Sequence, residues 1–222
     1  MNFTLDPRLQ HELEDRVRSK YISSRDDLHV TDLIRCLTAT YYDKVDPLPF
    51  EDQSVMFFAI GFALEEVMIR NGAEKPQVEE VDGIVMTEDY ISLSGNVGVD
   101  LKTTRMRLDK DTGIPTYGWP ESWIKQFMAY ARKRGSLYYS VAVIELIAAK
   151  LTCGTFTFTQ EELDDNWKYM LERRDIYTDA MFQAEPPESF KYNEDWECKN
   201  KTSTCRYLMR CQQRQKIEMV RQ

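Results

Sequence analysis

Asp100-Leu101-Lys102 offers the first chemistry in this chain. It closes a run with the alternation of a strand, Val97, Val99 and Leu101 on one side and Asp100 and Lys102 on the other. A carboxylate and an ammonium group projecting together suit hydrolysis at a hard cation. The carboxylate binds Mg²⁺ or Mn²⁺ through oxygen, and the lysine orients the attacking water or offsets developing negative charge. Downstream, Gln126 and Tyr130 are spaced to share one helical face. The cysteines are a second candidate. Cys198, Cys205 and Cys211 form a Cys-x6-Cys-x5-Cys run near the C-terminus, three thiolates in want of a fourth, while Cys153 stands apart and is expected to be a core thiol.

The elements that must position these groups follow from periodicity. Helices are expected over 7–20, over 31–44 with Thr31 as N-cap and Cys36 inside, and over 52–72 with Asn71-Gly72 as the stop. Residues 77–103 read as two or three strands and 105–120 as a loop. Then come a helix over 121–134, a strand pair over 137–149 and 152–158, and a long charged helix over 160–183. The order predicts an α/β fold with a central mixed sheet flanked by helices.

Length and composition fit one main domain. The 222 residues are 42% hydrophobic and 30% charged, ordinary for a globular protein. The longest apolar run, from Leu137 to Ala149, is too short and too interrupted for a membrane helix, so no membrane association is expected. The opening MNFTLDPRLQHELEDR lacks the features of a secretory leader, which predicts a cytoplasmic protein with cysteines as metal ligands or buried thiols rather than disulfides. A net charge of −8 argues against broad adhesion to nucleic acid but allows a local basic groove. Lys199, Lys201, Arg206, Arg210, Arg214 and Lys216, with Arg132, Lys133 and Arg134, are the candidates for a DNA-tracking surface.

VDLKTT followed by WxxQxxxY, from Trp123 to Tyr130, resembles the motifs of RecB-type nucleases of the PD-(D/E)XK superfamily. Gly61-Phe-Ala-Leu-Glu65 resembles their GxxxH motif, with Glu65 where many members have histidine. VTDLIRCLTATYY around Cys36, with the three cysteines that follow Trp196, resembles the CRISPR-associated, RecB-like iron–sulfur exonucleases or a stand-alone viral or plasmid relative. The resemblance implies a restriction-endonuclease-like core over 51–185. An N-terminal helical segment over 1–50 and a cysteine tail over 186–222 would be joined by Cys36, Cys198, Cys205 and Cys211.

It implies further that Glu65, Asp82 and Asp100 hold Mg²⁺ or Mn²⁺, that Lys102 aids water activation, and that Gln126 and Tyr130 position DNA. Ser94-Gly95-Asn96-Val97 resembles the lead-in to the family's second metal carboxylate, yet Gly98 follows. The role therefore passes to Asp82 or is absent, with Asp89 a further acid in the same stretch. Four thiolates suit a 4Fe–4S cluster or tetrahedral zinc, and the resemblance favours the cluster. The expected substrate is single-stranded DNA or DNA ends, in CRISPR adaptation with an integrase partner or in viral or plasmid DNA processing. The rival readings are a catalytically impaired nuclease-fold adaptor that binds DNA ends, which Gly98 favours, and a zinc-stabilised interaction protein.

Overall fold

Two β-branched, apolar runs far apart in sequence become adjacent strands, and the rest of the molecule is arranged around them. A computed structural model describes residues 7–21, 27–70, 77–91, 98–193, 195–198 and 204–221. Strand β4 (Gly98–Thr104) pairs in parallel with β5 (Tyr138–Glu145), with Asp100 opposite Val141 and Lys102 opposite Val143. Their connection runs through α5 (Glu121–Lys133), the crossover that a parallel pair requires. Antiparallel neighbours β3 (Tyr90–Ile91) and β6 (Lys150–Thr157) complete a mixed sheet of order β3-β4-β5-β6. The short pair β1 (Glu79–Val81) and β2 (Ile84–Met86) forms a separate ladder.

Helix α5 packs its apolar stripe on the sheet. Phe127 stacks on Tyr139 with centroids 5.7 Å apart and meets Phe156 at 5.3 Å, and Ala129 and Ala131 are fully buried. The long α6 (Gln160–Gln183) covers α5 with Leu163, Trp167 and Met170. It starts at Thr159, whose hydroxyl accepts from Glu162 N while Glu162 reaches back to Thr159 N, a capping box. Helices α1 (Pro7–Tyr21) and α4 (Asp52–Arg70) pack together, and α4 also rests on β4. No described helix is long and apolar enough to cross a membrane.

The helix expected over 31–44 is instead two, α2 (Val30–Leu33) and α3 (Leu37–Val45), with Cys36 at the N-cap of the second rather than inside one helix. The chain turns because its peptide groups find better partners elsewhere. Buried Arg173 of α6 takes the carbonyls of Leu33 and Arg35, and Leu37 N donates to Tyr192 O. Cys153 is exposed and not a core thiol, because β6 is an edge strand with solvent on much of its length. The expected helix stop at Asn71-Gly72, residues Ser94–Val97, and Lys199 and Lys201 lie outside the described residues.

Candidate active site and cysteine region

Both faces of β4 are covered, so its polar residues are drawn into the interior. Asp100 is 1% exposed, and Lys102 Nζ stands 2.6 Å from its Oδ2. This close approach lacks the angles of a directed hydrogen bond, so Asp100 Oδ2 is a buried oxygen with no hydrogen-bond partner. The ammonium turns instead to Gln126 on α5, donating to Oε1 at 2.8 Å. Accepting there fixes the amide, whose Nε2 donates to Tyr130 Oη at 3.1 Å, and Tyr130 Oη donates to Thr87 O at 3.0 Å. Trp123 and Phe127 place their rings 5.8 Å from Lys102 Nζ, within cation–π reach. Gln126 and Tyr130 are buried, at 5% and 3% exposure, and Gln126 alone touches the lysine.

The acid that lies beside Asp100 is Asp89 and not Asp82. Strand β3 pairs Tyr90 with Val99 and Ile91 with Gly98, and that register continued by one pair sets Asp89 across from Asp100. Asp89 Oδ2 accepts from Leu101 N at 2.6 Å. Burial first, and then the Asp100 charge, push its carboxyl up to about 7. Asp100 is itself pushed up by burial, with Lys102 pulling it back and Glu65 adding to the rise. Glu65, half-buried on α4, therefore lies in the field of both acids.

Asp82 sits at the β1–β2 turn with φ 53°, its Oδ2 accepting from Trp167 Nε1 at 3.0 Å, and it takes no part in this corner. Sequence reasoning named Asp89 only as a further acid beside Asp82, although a signal for its place was present. With Tyr90 opposite Val99 and Ile91 opposite Gly98, the antiparallel register brings Asp89 and Asp100 across from each other.

Gly98 also has a physical explanation. A β-carbon there would lie 2.1 Å from Glu88 Oε2, 2.6 Å from Arg134 Nε and 2.8 Å from Tyr139 Cε2. The space is filled by a buried ion cluster. Glu88, 0% exposed, pairs with Arg134 Nε at 2.6 Å and Lys133 Nζ at 3.3 Å. It ties the segment carrying Asp89 to the end of the helix carrying Gln126.

The cysteine region gathers α3, the segment before α7 (Asp195–Cys198), and α8 (Leu208–Arg221). Cys36 N donates to Glu197 Oε1 at 2.8 Å, Cys205 N donates to Cys198 O at 3.0 Å, and Asn193 Nδ2 donates to Cys198 Sγ at 3.3 Å. Burial and then Cys36, Cys205 and Cys211 push the Cys198 thiol up to about 11. Burial and then Cys36 and Cys205 do the same to Cys211. The Cys36 thiol is raised as well, by burial first, with Glu197 and Cys205 among its neighbours. These thiols share one electrostatic neighbourhood, and Cys153 is not among them.

Several of the basic residues expected to track DNA are engaged within the protein. Arg206 binds Asp43 and Leu48 O, and Arg210 binds Asp46. Arg214 takes the carbonyls of Pro186 and Pro187, and Lys133 and Arg134 bind Glu88. Arg132 lies 5.0 Å from the Trp167 ring and 3.5 Å from Asp164. Lys216, on α8, is exposed.

The donor chemistry fits a hard cation at the acid corner and a soft metal at the thiols. Buried acids of like charge, one with an oxygen lacking a hydrogen-bond partner, are the environment a divalent ion neutralises. In the present arrangement, however, no group of three or more His, Cys, Asp or Glu among the described residues could hold a metal ion.

No protein-family model matches the chain, and no curated protein matches it. Among solved structures it is similar to SSO0001, at 16% identity and a TM-score of 0.53, over 86% of this chain and 92% of that one. It is also similar to a phage related exonuclease from Haemophilus somnus 129PT, at 10% identity and a TM-score of 0.43, over 72% of this chain and 97% of that one. That distance is too great to carry an argument. The likeness to SSO0001 establishes a shared fold, and the chemistry has to be read from the side chains of the site.

Proposed function

We propose that this chain is a metal-dependent deoxyribonuclease acting on single-stranded DNA or DNA ends. The observation that carries the reading is the wired lysine. Lys102 lies against Asp100 on one strand, is held by Gln126 and Tyr130 from the next helix, and faces a second acid, Asp89, across the sheet. A lysine needed only for solubility would not be bound this way.

In this reading Asp89 and Asp100, joined by Glu65, hold Mg²⁺ or Mn²⁺. A bound divalent ion supplies Lewis acidity and lowers the pKa of water. Lys102 holds its positive charge where the phosphoryl oxygens gain negative charge during attack on phosphorus. Gln126 prevents the ammonium from swinging away, and Tyr130 fixes the orientation of Gln126.

The same proposal assigns Cys36, Cys198, Cys205 and Cys211 to a 4Fe–4S cluster, with zinc the alternative. What supports it is the shared neighbourhood of the thiols and the softness of the donors. It extends to CRISPR adaptation beside an integrase, or to viral or plasmid DNA processing, on the motif resemblance alone. The test is incubation of an end-labelled single-stranded oligonucleotide with Mn²⁺. Wild type should shorten it, while Lys102→Ala, folded by circular dichroism, should be slower by about 10²–10⁴-fold. Equal activity in the two proteins contradicts the assignment.

One observation favours a second reading, an adaptor that binds DNA ends without cutting. No assembled three-ligand group is found among the described residues. Retarded migration of the oligonucleotide without shortening supports the adaptor.

A further inference from the structure

We propose that Trp123, with Trp119 beside it, is a platform on which the unpaired base next to the attacked phosphate stacks, an inference that rests on the deoxyribonuclease reading above. Trp123 lies in the first turn of α5, three residues before Gln126, and its ring stands 5.8 Å from Lys102 Nζ. Its backbone N–H closes that turn onto Pro120 O at 3.0 Å, which fixes the root of the side chain. Asp100, Gln126 and Phe127, which also border the ammonium, are all buried. Trp123 is only half-buried, so a strand that reaches Lys102 on this side passes along the indole.

The indole is the open end of an aromatic series. Tyr139 stacks on Phe127, Phe127 meets Phe156, Phe156 meets Trp119 at 5.2 Å, and Trp119 meets Trp123 at 6.3 Å. Tyr139 and Phe127 are fully buried and both tryptophans half-buried, so the series begins in the core and surfaces beside the lysine. A buried tryptophan usually finds an acceptor for its N–H, as Trp167 does in Asp82. Among the described residues neither Trp119 nor Trp123 has such an acceptor, yet neither nitrogen is a buried orphan, so both N–H groups reach solvent.

Two part-open flat rings with solvent-facing donors, next to an ammonium, match one nucleotide of a single strand. The base lies on the indole and its phosphate meets the cation. A duplex, whose bases already stack on each other, has no free face to offer there. Tyr138 is the control. It is more exposed than either tryptophan, at 56%, but it precedes Tyr139 on β5 and so lies on the sheet face away from α5.

The test compares two fluorescent probes by anisotropy in Ca²⁺: an oligo-dT strand and a strand of equal length made of abasic sites. Wild type should bind oligo-dT about tenfold more tightly than the abasic strand. Trp123→Ala should remove most of that difference by weakening oligo-dT alone, Trp119→Ala should weaken oligo-dT less, and Trp123→Phe should keep most of the wild-type affinity. Tyr138→Ala should alter neither probe. Equal weakening of both probes by Trp123→Ala overturns the platform, and so does equal affinity of wild type for the two strands, a result that needs no variant to fold. The nuclease reading then still stands if wild type cleaves oligo-dT with Mn²⁺. Binding of oligo-dT without cleavage refutes the nuclease reading and leaves the platform, as a binding site, to be decided by the same comparison. If wild type neither binds nor cleaves oligo-dT, both fail.

Discussion

At the acid corner, charge is buried inside regular structure. Asp100 and Lys102 come from a central strand, Gln126 and Tyr130 from the helix packed on it, and Glu88 locks the neighbouring segment through Lys133 and Arg134. In the cysteine region the thiols sit on short helices and loops. There the tail is fastened by three arginines and a tyrosine: Arg206 and Tyr207 to Asp43, Arg210 to Asp46, Arg214 to Pro186. The first region gains precision from the rigidity of the sheet, and a displaced group there leaves a buried charge exposed to a low dielectric. In the second, the arginine clamps are partly open to water, so losing one leaves its partner solvated.

That contrast sets the order of effects on mutation. Glu88→Ala should be the most damaging, because it removes a fully buried carboxylate that pairs with Arg134 and with the 4% exposed Lys133, which keeps only its contact to the half-open Glu79. A loss of about 3–5 kcal/mol is expected, which at roughly 2–4 °C per kcal/mol lowers Tm by about 10 °C. A melting curve unchanged to within ~2 °C breaks the contrast.

Asp43→Ala should cost about 2 kcal/mol, the typical value for hydrogen bonds to a charged group. Limited proteolysis should then cut first in the C-terminal tail, with Lys102-dependent cleavage of DNA little altered.

The pH response of the chelated protein sharpens the same point. Folding raises Asp89 from 3.8 to about 7, so between those values the folded state binds more protons than the unfolded one. Stability should therefore fall as pH rises through that window and level off above it. Asp89→Asn should flatten the decline, as read by Tm against pH. The smallest effect belongs to Cys153→Ser on the exposed edge strand. It should leave iron or zinc content unchanged by elemental analysis, whereas Cys205→Ser should reduce it.

Much of this was legible in the sequence where one periodicity ran uninterrupted. The strand through Asp100 and Lys102, the i, i+4 pair Gln126 and Tyr130, and the long α6 follow from spacing alone. The break at Cys36 was not legible, because its cause is Arg173, distant in sequence, taking the carbonyls that would have continued the helix. Motif spacing put Asp82 ahead of Asp89, and only the register of β3 on β4 shows that Asp89 is the one beside Asp100. Gly98 looked like a missing acid, and only Glu88, Arg134 and Tyr139 in three dimensions show why no side chain fits there. For the basic tail, sequence displays the charge of Arg206, Arg210 and Arg214 but not the carboxylates and carbonyls that engage them.

The choice between Asp89 and Asp82 tests the account most directly, because only one of them lies beside Asp100. Cleavage of single-stranded DNA should be measured with Mn²⁺ for Asp89→Asn and Asp82→Asn side by side. The account predicts that Asp89→Asn abolishes cleavage and that Asp82→Asn, at a turn where asparagine accepts the same backbone, stays close to wild type. Full activity in Asp89→Asn, or loss confined to Asp82→Asn, would contradict it.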